Sequence, residues 1–254
     1  MLKHPIVETL FSLRLTGMAR AFEEQLAMPD IAALSFEDRF GLLVEREATE
    51  RRSTRLKNRL RVAKLRQSAC VEDLDLRRQR GLDRAVVLGL ASCEWVRQHH
   101  NVLITGPTGI GKSFIACALA HKACLEGMTA QYAQVPKLFR ELAAARGDGR
   151  YGALLDRLAR IDVLVLDDWG LGAVGDGERR DLYELLDDRH ERRSTIVASQ
   201  LPVKEWHRVI GDPSMADAML DRLTSNAYRI ELDGPSMRPK RPARSGAGAE
   251  VTAT

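Results

Sequence analysis

No stretch of this sequence approaches the ~20 consecutive apolar residues that a membrane span needs. The opening segment, MLKHPIVETLFSLRLTG, has neither an uninterrupted apolar core nor a small-residue cleavage site. The expectation is a cytoplasmic protein with no membrane partner. Cysteine is scarce: Cys70, Cys93, Cys117 and Cys124 show no C-x-x-C spacing, which favours reduced core thiols over a disulfide framework or a metal site. His99, His100 and His190 have no partner at ligand spacing, no G-x-S-x-G nucleophile motif occurs, and no internal repeat is visible. Lysine is short as well, supplying only 8 of the 39 basic residues. The remaining arginines carry planar forks suited to phosphate, although GC-rich coding inflates arginine equally. The formal net charge of +4 is a weak signal by itself.

The 254 residues, 44% of them hydrophobic, suffice for one large α/β domain with a small appendage. The first 75 or so read as helical. Leu10, Leu13, Met18, Phe22 and Leu26 recur at helical spacing up to Pro29-Asp30. Ser35, with Asp38 three residues on, then signals a new helix start that places Phe36, Phe40, Leu43 and Val44 on one face. From Arg51 to Arg66 there are eight basic residues and no acid: Arg51, Arg52, Arg55, Lys57, Arg59, Arg61, Lys64 and Arg66. Leu56, Leu60 and Ala63 form a packing stripe between them.

Beyond Gly81, strands are predicted over 102–105, 130–133, 163–166, 195–199 and 227–232. Helices are predicted over 84–96, 112–125, 136–145, 151–159, 178–191 and 215–223. Strands alternating with helices predict three layers around a mostly parallel sheet. The last residues, from Pro239 on, read as a disordered tail. The division is thus 1–75 helical, then 76–238 an α/β domain, then 239–254 tail.

Gly106 to Ser113 reads GPTGIGKS, a complete G-x-x-x-x-G-K-[ST] motif entered by a strand and left by a helix. Gly106, Gly109 and Gly111 let backbone N–H groups curl around phosphate oxygens; Pro107, Thr108, Ile110 and Phe114 complete the loop and its exit. Lys112 reaches the β- and γ-phosphates, and the Ser113 hydroxyl ligates Mg²⁺. The stretch IDVLVLDD then ends an apolar strand in two carboxylates. Asp167 is placed to hold Mg²⁺ and Asp168 to polarise the attacking water. Trp169 either stacks near the nucleotide or packs the strand–helix junction. A small-molecule kinase would share the loop without needing a basic helix.

GPTGIGKS, VLVLDDWG, TIVASQLPVKEWHRVIGDPSMADAMLDRL and AYRIELDGPSMR together resemble the IstB-like ATP-binding proteins, from about Leu10 to Arg238. These are AAA+ helpers of insertion-sequence transposases, related to DnaC helicase loaders. The resemblance implies a P-loop (AAA+) three-layer sheet with a small helical N-terminal domain, ATP and Mg²⁺ as cofactors, and a cognate transposase as partner. It also implies a homo-oligomer with nucleotide at subunit interfaces. Ser199 falls at sensor 1, or else merely ends a strand. Arg222 matches the arginine finger, or else pairs with Asp217 or Asp221. Arg238 resembles sensor 2, or else belongs to the tail. Asp168 stands where most AAA+ enzymes have Glu, and one methylene less reach points to slow, DNA-stimulated hydrolysis. Arg51, Arg52, Arg55, Arg59, Arg61 and Lys64 are the expected contacts to duplex DNA, gaining affinity by counterion release without reading sequence. A helicase loader acting in replication is the alternative.

Overall fold

A computed structural model of the chain describes residues 4–237. Five strands form one fully parallel sheet: β1 (Asn101–Thr105), β2 (Ala130–Gln134), β3 (Val163–Trp169), β4 (Ser194–Ser199) and β5 (Ala227–Glu231), in the spatial order β2-β3-β4-β1-β5. β1 and β4 are buried at every position and β3 nearly so, because helices cover both faces. Alternate residues serve opposite layers. Val102, Ile104, Val163, Val165 and Ile196 pack on one side; Leu103, Leu164, Leu166 and Val197 pack on the other.

The first layer holds α4 (Arg84–Ala91), α5 (Glu94–Arg97) and α6 (Lys112–Leu125). The second holds α7 (Val135–Gly147), α8 (Tyr151–Arg160), α9 (Asp176–Arg189), α10 (Trp206–Ile210) and α11 (Pro213–Thr224). The span expected as one helix over 84–96 is two, since Cys93 takes a left-handed conformation (φ 58°) between them. α10 has no forecast in the sequence: five residues are too few for a periodic pattern, and the helix ends at Gly211 (φ 83°). The second layer also buries Arg189, whose guanidinium donates to the carbonyls of Leu158 (2.6 Å), Ile161 (2.7 Å) and Ser194 and so ties the end of α8 to the start of β4.

Ahead of the sheet come α1 (Pro5–Ser12), α2 (Thr16–Ala27) and α3 (Phe36–Ala63). The single early helix expected from the Leu10–Leu26 spacing is broken at Leu13–Leu15, and Leu13 is exposed. Ser35 caps α3 as expected, its hydroxyl accepting from the Asp38 N–H at 3.1 Å. Of the four apolar residues expected on one face, only Leu43 is buried, whereas Phe36, Phe40 and Val44 face outward. α2 crosses α3 so closely at Gly17 that a Cβ there would lie 2.8 Å from the Glu47 Cα. Glu47 explains the contact. Its carboxylate accepts from the N–H groups of Gly17 (2.8 Å) and Met18 (3.1 Å), satisfying the first turn of a helix that has no side-chain cap of its own.

The second half of α3 behaves differently. Ala63 is buried in the first layer with Leu56 and Leu60 packed beside it, and Ala69 and Leu74 join the same cluster. The helical part and the sheet part therefore share one core across residue 75. Three of the cysteines, Cys93, Cys117 and Cys124, are buried and all four are free; burial pushes the Cys124 thiol up to about 11. Among the described residues no helix is long and apolar enough to cross a membrane.

Candidate functional site

In the order β3-β4-β1, the C-terminal ends of three neighbouring strands meet at one edge of the sheet, the place where open α/β sheets bind ligands. From β1 the chain enters the Gly-rich loop; β3 ends in Asp167 and Asp168; β4 lies between them. Register aligns all three, with Thr105 and Trp169 both opposite Ser199. A cavity of about 420 Å³ opens there, lined among others by Thr108, Gly109, Gly111, Lys112, Ser113, Phe114, Asp167, Asp168 and Gln200.

The glycines are required by geometry. Gly106, Gly109 and Gly111 all have positive φ (144°, 83° and 102°). A Cβ at Gly106 would sit 2.3 Å from the Leu232 carbonyl oxygen, and one at Gly111 would sit 2.6 Å from the Arg80 guanidinium. The Lys112 ammonium is held in the loop by the carbonyls of Gly106 (2.6 Å) and Pro107 (2.8 Å). Ile110 is buried and supports the loop from beneath rather than facing the cavity. Lys112 itself begins α6, so the helix N-terminus points its free N–H groups at the cavity.

Opposite, Asp167 is buried and accepts from the Tyr132 hydroxyl at 2.5 Å. Burial pushes that hydroxyl's pKa well up, with the adjacent Asp167 carboxylate adding to the effect, so Tyr132 stays protonated and donates. Asp168 follows on an irregularity of β3, at φ 61°, which turns it out of the ladder, and its carboxylate accepts from the Gln134 side chain at 2.8 Å. The Ser113 hydroxyl and the Asp167 carboxylate, sharing one cavity, are the hard oxygen donors that Mg²⁺ takes beside phosphate oxygens. No richer metal cluster of His, Cys, Asp or Glu occurs among the described residues.

Ser199 ends β4, the plainer of its two expected roles. Its hydroxyl is fully buried, donating to the Trp169 carbonyl (2.8 Å) and accepting from the Leu201 N–H (3.1 Å). The next residue, Gln200, lines the cavity instead and accepts a hydrogen bond from Thr108 of the loop at 2.7 Å. Trp169 does not stack in the site; it is buried against Trp206. Arg222 is tied at the other end of the sheet. Its guanidinium donates to Asp187 (2.7 Å), to the Ala218 carbonyl (2.9 Å) and to the Tyr183 hydroxyl (3.2 Å), and its partner is neither Asp217 nor Asp221. Asn101, the first residue of β1, bonds the Arg222 carbonyl, which places Arg222 away from the chain's own Gly-rich loop. Arg238 lies outside the described residues; Met237 just before it donates its N–H to the Gly109 carbonyl at 2.8 Å.

The basic segment divides. Arg55, Lys57, Arg61 and Lys64 are exposed and make no ion pair among the described residues. Arg51 pairs with Glu47 (2.6 Å), Arg52 reaches Thr49 (3.4 Å), and Arg59 donates to the Cys124 carbonyl at the end of α6 (3.0 Å), a structural tie between α3 and the sheet layer. Arg66 leaves the group altogether and lines the nucleotide cavity. Arg80, buried beside the loop and donating to the Ile110 carbonyl at 2.6 Å, lines it too. In the sequence Arg66 stands out only as one of the basic run and Gln200 only within the TIVASQLP stretch, and Arg80 carries no motif at all.

Comparison with known proteins agrees with this geometry. The family model described as IstB-like ATP binding protein matches residues 8–245. An insertion sequence ATP-binding protein of Sinorhizobium fredii, y4pL, is 50% identical over 94% of this chain and 97% of its own length. Among solved structures, DnaI superposes with a TM-score of 0.57 at 24% identity, over 67% of this chain and 91% of that one. The DnaC helicase loader superposes with a TM-score of 0.52 at 16% identity, over 67% of this chain and 99% of that one. Both share the three-layer P-loop fold.

Proposed function

The chain belongs to the IstB-like ATP-binding protein family, and from that premise we propose that it is an ATPase that assembles on duplex DNA and helps a transposase engage its target. The observation that carries this reading is the convergence of the Gly-rich loop, Asp167 and Asp168 on one cavity, with a helix that exposes Arg55, Lys57 and Arg61 packed on the same layer.

The loop N–H groups and the α6 N-terminus bind the phosphates, and Lys112 exchanges its carbonyl partners for the β- and γ-oxygens. Ser113 and Asp167 would hold a Mg²⁺ ion, which would supply positive charge to offset that developing in transfer. Asp168, oriented by Gln134, positions the attacking water; its short side chain suits slow turnover. Gln200 takes the polar role first expected of Ser199, since it is Gln200 that reaches the loop. Arg222 serves the nucleotide of a neighbouring subunit, so the active unit is a homo-oligomer. The cation–π contact over Tyr183 and the Asp187 pair hold its guanidinium in a defined position for that task.

Duplex DNA lies along the exposed basic face of α3, where Arg55, Arg61 and Lys64 supply the phosphate contacts and Arg59 does not. Reversing the charge at Arg55, Arg61 and Lys64 together is expected to abolish duplex binding while leaving ATP binding intact, as read by fluorescence anisotropy of labelled duplex at low salt. Unchanged duplex affinity would remove α3 from the account. A helicase loader in replication is the second reading, favoured by the shared fold with the DnaC helicase loader. A preference for single-stranded over duplex DNA in the same assay would select it.

A further inference from the structure

Arg66 follows α3 by three residues. The turn at Lys64, left-handed at φ 48° and ψ 39°, ends the helix and directs the chain toward the sheet edge. There the Arg66 guanidinium lies 3.8 Å from the Asp167 carboxylate and 3.6 Å from that of Asp168. Both carboxylate separations exceed the hydrogen-bond range, so the attraction is Coulombic and no bidentate lock forms. The side chain is 45% exposed and lines the same cavity as Lys112, Ser113 and Gln200. In this motif the lysine reaches the β- and γ-phosphates, so a guanidinium in the same cavity, within 4 Å of both acids, stands where the γ-phosphate arrives.

We propose that Arg66 is a ligand of the γ-phosphate, supplied in cis by the segment that ends the basic helix; this rests on the nucleotide site described above. Its planar fork exchanges two loose carboxylate contacts for direct hydrogen bonds to phosphate oxygens. ADP offers no such oxygens, so Arg66 distinguishes the two nucleotides, and the distinction is felt at the end of α3.

Titration of the full chain with fluorescent ATP and ADP analogues in Mg²⁺ tests this. Arg66→Ala is expected to lose about tenfold in ATP affinity and about twofold or less in ADP affinity, as removal of a charge-assisted hydrogen bond implies. Arg66→Lys, which keeps the charge and loses the fork, recovers part of the ATP preference. Equal losses for both nucleotides, or none for either, would overturn the assignment to the γ-phosphate. A wild-type protein that binds neither analogue would overturn the nucleotide site itself, an outcome distinct from the first because it appears without any substitution.

Discussion

Ser199 and Gln200 are neighbours at the end of β4, and their hydroxyl and amide face opposite fates. The serine closes a backbone circuit between Trp169 and Leu201, and the glutamine touches the phosphate loop. Gln200→Ala is therefore expected to lower the rate of ATP hydrolysis at least tenfold with an unchanged melting temperature. Ser199→Ala is expected to cost about 1–2 kcal/mol of stability, since the Trp169 carbonyl and Leu201 N–H lose their partner. Parallel melting and steady-state hydrolysis measurements on the two variants read both effects; a rate loss confined to Ser199→Ala would reverse the assignment. Residues whose chemistry is bound to a spacing are legible in the sequence alone: GPTGIGKS and the paired acids land in one cavity. Residues whose role depends on where a strand stops are not. The irregularity of β3 near Leu166 and Trp169 decides which side chain at the end of β4 reaches the cavity, and no sequence period encodes it.

At the scale of elements, Glu47 does for α2 what that helix cannot do for itself. Burial raises the carboxyl's pKa, but the hydrogen bonds from Arg51, Met18 and Gly17 together with the Arg51 charge outweigh it, so the folded pKa lies below the ordinary value of 4.5. A depressed folded pKa contributes stability that is full above the unfolded value and fades as pH falls through the folded one. Glu47→Gln is expected to cost about 1–2 kcal/mol at neutral pH. Melting temperatures measured from pH 7 downward should show the gap between wild type and variant narrowing once pH falls below 4.5. A gap that is constant with pH would mean that the carboxylate's charge is not what caps α2. The α1–α2 break and the exposure of Phe36 and Phe40 escape the sequence because helical spacing marks an apolar stripe without saying whether anything covers it. The basic run is likewise visible as a run, whereas its division into Arg59 as a tie, Arg66 as a cavity residue and Arg55, Arg61 and Lys64 as free cations requires the packing of α3 on α6.

For the whole molecule, Arg222 lies apart from the chain's own phosphate loop, so its proposed role at a neighbouring nucleotide requires two protomers. Arg222→Ala and Lys112→Ala, each expected to hydrolyse ATP at least tenfold more slowly alone, should regain activity when mixed, because a mixed assembly pairs an intact loop with an intact Arg222. Hydrolysis assayed across mixing ratios checks this, and a mixture no more active than its parts would place Arg222 in a purely intramolecular role with Asp187. The fold class is open to sequence reasoning because apolar runs bounded by glycines alternate with helical periods. The sharing of one core across residue 75 is not, because Ala63, Ala69 and Leu74 carry no mark of the distant layer they join.

In this proposal ATP, duplex and assembly are linked through one site. Light scattering coupled to size exclusion, with ATP, Mg²⁺ and duplex added singly and together to wild type and Lys112→Ala, tests it most directly. A large complex is expected to form with all three and to be lost in the variant. A species of one size throughout, or equal assembly by Lys112→Ala, would contradict it.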